Sequence, residues 1–379
     1  MFIIFSLNKN NTFMFSKAQI TDALQKVIHP EKKKDIVSLG MIGEVVIDDT
    51  GISLTITPEK SNDPFISSVK SGIVKVLKEE LGPDVIIKEI KVDPKIQVGK
   101  KKEEPREVLP GVKNIIAVSS GKGGVGKSTV AVNLAIALSS KGYETGLLDA
   151  DIYGPSIPIM FGAENYKPEV RKDNGNDILI PLVKYGVKVL SIGFFVDPVD
   201  AVVWRGPMAS SFLKQLITRG DWGNLDYLLV DLPPGTSDIH LTLVQEVPVT
   251  GAIVVSTPQA VALADAAKGV SMFRNEKIDV PVLGLVENMS WFTPAELPAN
   301  RYYIFGKDGC RSLADKMEVP LLGQIPIVQG ICEGGDRGHP VALDDNQAGA
   351  AFMDLADEIV LRIEDRNRNM KPTERLKIN

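Results

Sequence analysis

Gly121-Lys122-Gly123-Gly124-Val125-Gly126-Lys127-Ser128-Thr129 has the Gly-x-x-x-x-Gly-Lys-Ser spacing of a phosphate-binding loop. The apolar run 114–118 before it reads as a strand, and 128–139 after it reads as a helix. That placement is what the chemistry requires. Glycines let the backbone wrap closely and turn N–H groups inward. The helix that follows aims its partial positive charge at the same point. Lys127 then reaches the β- and γ-phosphates, and the Ser128 hydroxyl falls on Mg²⁺. Nucleotide contacts are expected from Gly121, Lys122, Gly123, Gly124, Val125, Gly126, Lys127, Ser128 and Thr129.

Outward from the loop, short apolar strands alternate with helical spacing. Strands are expected over 145–148, 227–230, 252–255 and 282–286, and a helix from Met208, Phe212, Leu213, Leu216 and Ile217. Continuous apolar strands in β–α alternation predict an α/β fold, a P-loop NTPase whose mostly parallel sheet is covered by helices on both faces. A small α+β domain precedes it. Ile20, Leu24, Val27 and Ile28 have helical spacing, and 52–57 alternates as a half-buried strand after a turn at Asp48-Asp49-Thr50-Gly51. Asp63-Pro64 reads as a helix start, and 85–92 as a further strand. The predicted boundaries are a disordered 1–14, with Met14 an alternative start to Met1, an α+β domain at 15–92, a charged tether at 93–111 and the P-loop domain at 112–379. The tether, with Lys100-Lys101-Lys102-Glu103-Glu104-Pro105, has no apolar face to bury.

Leu228-Leu229-Val230-Asp231 is an apolar strand ending in a carboxylate, which makes Asp231 a candidate magnesium ligand beside Ser128. Leu232-Pro233-Pro234-Gly235-Thr236 follows as a candidate switch loop. Lys122 adds an early lysine to the loop, the deviant Walker A pattern, which resembles the MinD, ParA and nitrogenase iron-protein class of dimeric ATPases. The resemblance implies that Lys122 crosses a homodimer interface to the partner's nucleotide. It implies that Asp151 orients the attacking water, with Asp149 near the metal, and that Asn288 meets the adenine edge. Lys122, Lys127 and Asp151 are thus the expected catalytic residues of an ATPase that hydrolyses ATP to ADP and phosphate with Mg²⁺.

Longer stretches narrow this. Asp149-Ala150-Asp151-Ile152-Tyr153-Gly154-Pro155-Ser156-Ile157-Pro158, Trp204-Arg205-Gly206-Pro207-Met208, Asp231 to Asp238, Glu287-Asn288-Met289-Ser290 and Leu322-Gly323-Gln324-Ile325-Pro326 together resemble the Mrp/ApbC family of iron–sulfur cluster carriers. Asp35-Ile36-Val37-Ser38-Leu39-Gly40 resembles the PaaD-like assembly domain found in such proteins. The family places a Cys-x-x-Cys pair after Glu-Asn-Met-Ser, and two such pairs hold a shared [4Fe–4S] cluster. Here that segment reads Trp291-Phe292-Thr293-Pro294-Ala295-Glu296, without cysteine. Cys310 and Cys332, the chain's two cysteines, are the remaining candidate cluster ligands, or else isolated residues. His29, His240 and His339 form no ligand pattern.

Of 379 residues, 44% are hydrophobic and 24% charged, and the net charge is −5, which argues against a dedicated nucleic-acid binder. The cysteine count fits a reducing, cytoplasmic setting. No apolar run approaches membrane-span length. The amphipathic stretch 348–363 carries Asp354, Asp357 and Glu358 on its polar face, which anionic lipid repels. The basic residues beyond it read as a solvated tail. Expected partners are a second copy and iron–sulfur assembly or client apoproteins, with no nucleic acid and no membrane. Three classes stay open: a nucleotide-switched iron–sulfur carrier, a scaffold for cluster-bearing partners, and a spatial organiser of the MinD or ParA kind.

Overall fold

The computed structural model describes residues 15–48, 51–58, 65–83, 85–93, 108–173, 175–195, 206–294 and 296–376. The chain divides into two compact units, 1–106 and 107–379. Asp49, Thr50, Asp63, Pro64, Trp204, Arg205, most of the charged tether and the first fourteen positions lie outside the described residues.

The first unit comprises α1 (Lys17–Leu24), β1 (Ile42–Asp48), β2 (Gly51–Ile56), α2 (Ile66–Leu81) and β3 (Ile87–Val92). Ser16 starts α1 with a reciprocal capping box: its hydroxyl accepts from Gln19 N–H, and Gln19 accepts from Ser16 N–H. The sheet order is β1-β2-β3, with β1 and β2 antiparallel and β2 and β3 parallel. Ile52, Leu54 and Ile56 alternate into the core against Val69, Ile73 and Leu77 of α2. Helical spacing continues to Ile28, but α1 stops at Leu24; Ile28 instead bridges to Asp35 and is half exposed. Pro30 follows closely and disfavours helix at the residue before it.

The second unit contains β4 (Val112–Ser120), α3 (Lys127–Ser140), β5 (Thr145–Asp149), α4 (Ile157–Met160), β6 (Val170–Asp173), β7 (Asn176–Leu179), β8 (Leu182–Lys184) and β9 (Val187–Ser191). It continues through α5 (Gly206–Arg219), β10 (Leu225–Asp231), α6 (Asp238–Glu246), β11 (Gly251–Ser256), α7 (Ala260–Phe273), β12 (Val282–Glu287), α8 (Gly309–Met317), β13 (Leu321–Gln324), α9 (Gln329–Asp336) and α10 (Gln347–Asn369). Eight strands form one sheet in the order β13-β12-β11-β4-β10-β5-β9-β8, parallel except for the edge pair β8–β9. Side chains of β4 point alternately to two cores. Ile116 and Val118 pack with α3 and α10, while Ile115 and Ala117 pack with α5, α6, α7 and α8. With both faces covered, β5 and β11 are buried along their whole length.

Two differences from the sequence reading have simple causes. Val108 and Leu109, assigned above to the tether, pack on the second unit's core; two apolar residues are too few to show a period. Beyond 363, the helix α10 runs six residues further, and Arg366 is buried there, donating to Lys371 O and Thr373 Oγ1 rather than lying in a solvated tail. The apolar face of α10, with Phe352, Leu355, Ile359 and Ile363, lies in the core. Among the described residues no helix is long and apolar enough to cross a membrane. The segment 164–185, which carries no sequence signal of its role, holds the antiparallel pair β6–β7 and the edge strand β8.

Replacing the fully buried Phe352 by alanine should lower stability by about 3–5 kcal/mol. Leu361→Ala, on the exposed side of the same helix, should change it by less than about 0.5 kcal/mol. Denaturant unfolding of both variants measures the difference, and equal effects would contradict the packing of α10.

Candidate functional site

The site lies at the carboxyl ends of β4, β5, β10, β11 and β12, where an open α/β sheet binds its ligands. The phosphate loop leaves β4 and enters α3 at Lys127. Its N-cap, Gly126, has φ +82°, a left-handed conformation that favours glycine, and no side chain caps the helix. The first-turn N–H groups therefore have no side-chain acceptor and face the loop's concavity as an anion site. Gly121 is required for a different reason: a Cβ there would strike the backbone of Asp265 and Ala266 in α7. Lys122, Gly123 and Gly124 are exposed, while Val125 is buried and Ser128 and Thr129 are half-buried.

Lys127 is buried at the centre. Its Nζ lies 2.6 Å from Asp231 Oδ1 and 3.4 Å from Asp151 Oδ2. Ser128 Oγ donates to Asp231 Oδ2 at 2.6 Å. Burial opposes the lysine charge, but Asp231, then Asp151 and Asp149, outweigh it and hold the ammonium above its ordinary pKa. Asp149 is fully buried. It accepts from Ser191 Oγ at 2.7 Å and from Asp151 N–H at 3.1 Å. Burial, then the neighbouring Asp231 carboxylate, push Asp149 up to about 8. Burial raises Asp231 as well, against the pull of Lys127. Three carboxyl groups thus surround one lysine, an oxygen-rich setting that a divalent cation would fit. Among the described residues no three His, Cys, Asp or Glu side chains form a metal cage. Mg²⁺ would need one or two oxygen donors from the protein. Ser128 Oγ and Asp231 Oδ2 are oxygen donors of that kind, with Asp149 behind them.

Asn288 is brought to the loop from the end of β12. Its side-chain amide donates to Val125 O at 2.9 Å, and its backbone N–H to Ser256 O at 2.8 Å. The amide thus ties the end of β12, where the resemblance places an adenine contact, to the phosphate loop. The two cysteines are not brought together. Cys310, in α8, belongs to the core on one sheet face, while α9, which carries Cys332, packs Ile331 against the core on the other. Cys310 is fully buried, and burial, then Glu287, hold its thiol well above the ordinary range, so it is not a thiolate at neutral pH. Cys332 is exposed.

Sequence reasoning passed over several groups that frame the site. Ser191 orients Asp149. Glu287 is buried and accepts from Cys310 N–H and from Gln324 Nε2, both at 2.7 Å, which fixes the strand end beside Asn288. His240 is buried beneath the switch loop. Glu287 stands in the sequence within the Glu287-Asn288-Met289-Ser290 stretch, and His240 as the third residue after Ser237 in a capping-box spacing with histidine in place of Glu or Gln.

The chain is similar to known proteins over most of its length. The profile described as NUBPL iron-transfer P-loop NTPase matches residues 111–360, and that of an iron–sulfur cluster assembly protein matches 17–88. An iron–sulfur cluster carrier protein of Synechocystis is 42% identical over 339 residues, 89% of this chain and 94% of its own. An iron–sulfur cluster transfer protein, NUBPL, of Dictyostelium discoideum is 48% identical over 270 residues, 69% of this chain and 82% of its own. The solved structure of a nucleotide-binding protein from Archaeoglobus fulgidus in complex with ADP is 38% identical, with a TM-score of 0.55, over 62% of this chain and 91% of its own. The loop, the carboxylates around Lys127 and these matches lead to one conclusion: the chain belongs to the NUBPL-type iron-transfer P-loop NTPase family, with an iron–sulfur cluster assembly domain ahead of its P-loop unit.

Proposed function

We propose that the chain is a cytoplasmic, Mg²⁺-dependent ATPase, working as a homodimer, that drives iron–sulfur cluster assembly through partner proteins. The observation that carries this reading is the set of Lys127, Asp149, Asp151 and Asp231, all buried, with the half-buried Ser128, at the mouth of an uncapped helix. In it Lys127 holds the β- and γ-phosphates, and Ser128 and Asp231 hold the metal. When bound, Mg²⁺ would supply positive charge against the charge that develops on the phosphates. Asp151, already fixed by Tyr153 N–H and Lys127, orients the attacking water. The exposed Lys122 is free to reach a partner's nucleotide and offset charge there in the manner of an arginine finger.

The cargo follows from thiol arithmetic. A [4Fe–4S] cluster takes four thiolates, and two copies of this chain could supply them only by using both Cys310 and Cys332. The burial of Cys310 leaves one surface thiol per copy. The reading that fits is a nucleotide-switched assembly factor whose partner carries the cluster.

Three experiments test these roles. Lys127→Ala should abolish ATP binding in calorimetry, while Lys122→Ala should keep binding and lose about 10³-fold in phosphate release. Normal turnover by Lys122→Ala would remove its role in trans.

The second experiment concerns pH. Asp149, at about 8 when folded against 3.8 when unfolded, keeps a proton that the unfolded chain releases, so it makes stability fall as pH rises between those values. His240, pushed down to about 4 from 6.5 by burial, has the opposite sign in its own range. The Asp149 slope is therefore read from about pH 6.5 to about 8. There Asp149→Asn should flatten the fall in melting temperature of the nucleotide-free protein; an unchanged slope would assign the proton elsewhere.

Third, anaerobic reconstitution with iron and sulfide should leave iron near background with ATPase activity intact. About four irons per dimer, lost in Cys310→Ser or Cys332→Ser, would show instead that the chain itself carries the cluster.

A further inference from the structure

The switch loop 232–236 and the start of α6 are tied to the strand that feeds the phosphate loop by more than their neighbours in sequence. Leu232 N–H donates to Val118 O at 3.0 Å, and Gly235 N–H to Ser120 O at 2.8 Å. Ser120 Oγ in turn donates to Lys122 O at 3.0 Å, inside the phosphate loop. The third tie is a side chain. His240, in the first turn of α6, is 1% exposed. Its Nδ1 accepts from Ser237 N–H at 3.2 Å, and its Nε2 lies 3.4 Å from Ser119 Oγ at the end of β4. A backbone N–H on Nδ1 requires an acceptor there, which places the ring proton on Nε2, facing the serine. Burial holds the ring neutral, with Lys127 adding to that effect. Neither ring nitrogen is idle.

We propose that His240 is a positioning residue that clamps the switch loop to β4, so that the loop's response to the γ-phosphate is passed to α6. This rests on the ATPase reading above. Two elements meet at this ring, and each ends in a functional segment. β4 runs through Ser119 and Ser120 into Lys122. α6 begins at the end of the loop that starts beside Asp231. A side chain that only capped α6 would need its Nδ1 end and nothing beyond. The second contact, to a fully buried serine on another element, is what makes the clamp.

The bond at Ser119 separates the two roles. Ser119→Ala leaves the capping box whole and removes only the far contact. Phosphate release is measured per ADP-binding site, which counts folded sites whatever happens to the melting temperature. The clamp predicts a roughly three- to thirty-fold fall in kcat for both Ser119→Ala and His240→Ala, with ADP affinity within about twofold of the unaltered protein. The double variant should be no slower than His240→Ala alone. His240→Gln, whose amide both donates and accepts, should recover most of the loss. A kcat for Ser119→Ala within about twofold of the unaltered protein, or multiplying effects in the double variant, would overturn the clamp. Deuterium exchange gives a readout that needs no turnover. Amides of 232–240 should exchange faster in Ser119→Ala, and the protection that a non-hydrolysable ATP analogue gives them should shrink; unchanged exchange would count against the clamp. A protein that never hydrolyses ATP defeats the ATPase reading, and the exchange result then judges the clamp by itself.

Discussion

At the heart of the P-loop unit a buried ammonium lies 2.6 Å from a carboxylate that is itself fully buried. Removing two charges from water is expensive, and a mutual contact repays it only with good geometry and further hydrogen bonds. Both conditions are met. Asp231 also accepts from Ser128, and Lys127 has Asp151 as a second neighbour. The pair joins the phosphate loop to β10, the strand beside β4, and sets the spacing between them. Because the surrounding carboxylates outnumber the lysine, the arrangement remains poised toward cation. The property that stabilises it without a ligand is the one that would recruit a metal and its nucleotide.

The rest of the unit serves to hold that pair in place. Five parallel strand ends bring Ser119, Asp149, Asp231, Ser256 and Glu287 to one edge of the sheet, and buried hydrogen bonds fix each. Ser191 sets Asp149, Gln324 and Cys310 N–H set Glu287, and Asn288 reaches across to the phosphate loop. Apolar helices on both faces exclude water from the strands below. Polar groups at the top can then interact in a low dielectric, where each contact counts for more. Cys310 fits this picture as a small buried residue whose backbone, rather than its sulfur, makes the useful contact.

The family's description and this chain's cysteine content pull apart, which motivates the proposed division of labour. The phosphate loop and the carboxyl groups around Lys127 all lie within the P-loop unit, whereas the chain has only two cysteines. A switch whose output is a change in loop and helix position can act on a bound partner as readily as on a bound cluster.

The sequence by itself determined the phosphate loop, the parallel sheet and the carboxylate that ends β10, because each is a local pattern: glycine spacing between a strand and a helix, apolar runs of strand length, an aspartate at a strand's end. It also carried the amphipathic face of α10, though not whether that face met lipid or core. Tertiary structure alone decided which groups meet across the sheet. Ser191 under Asp149, Glu287 over Cys310, and His240 against Ser119 are separated by 42, 23 and 121 positions, and no periodicity encodes such contacts. The same holds for the cysteines: their spacing left both available as ligands, and only the packing of α8 against one sheet face and α9 against the other set them apart. Local pattern fixes what an element is. Which side chains it shares with a distant neighbour depends on strand order and helix packing, and those are settled only when the whole core closes.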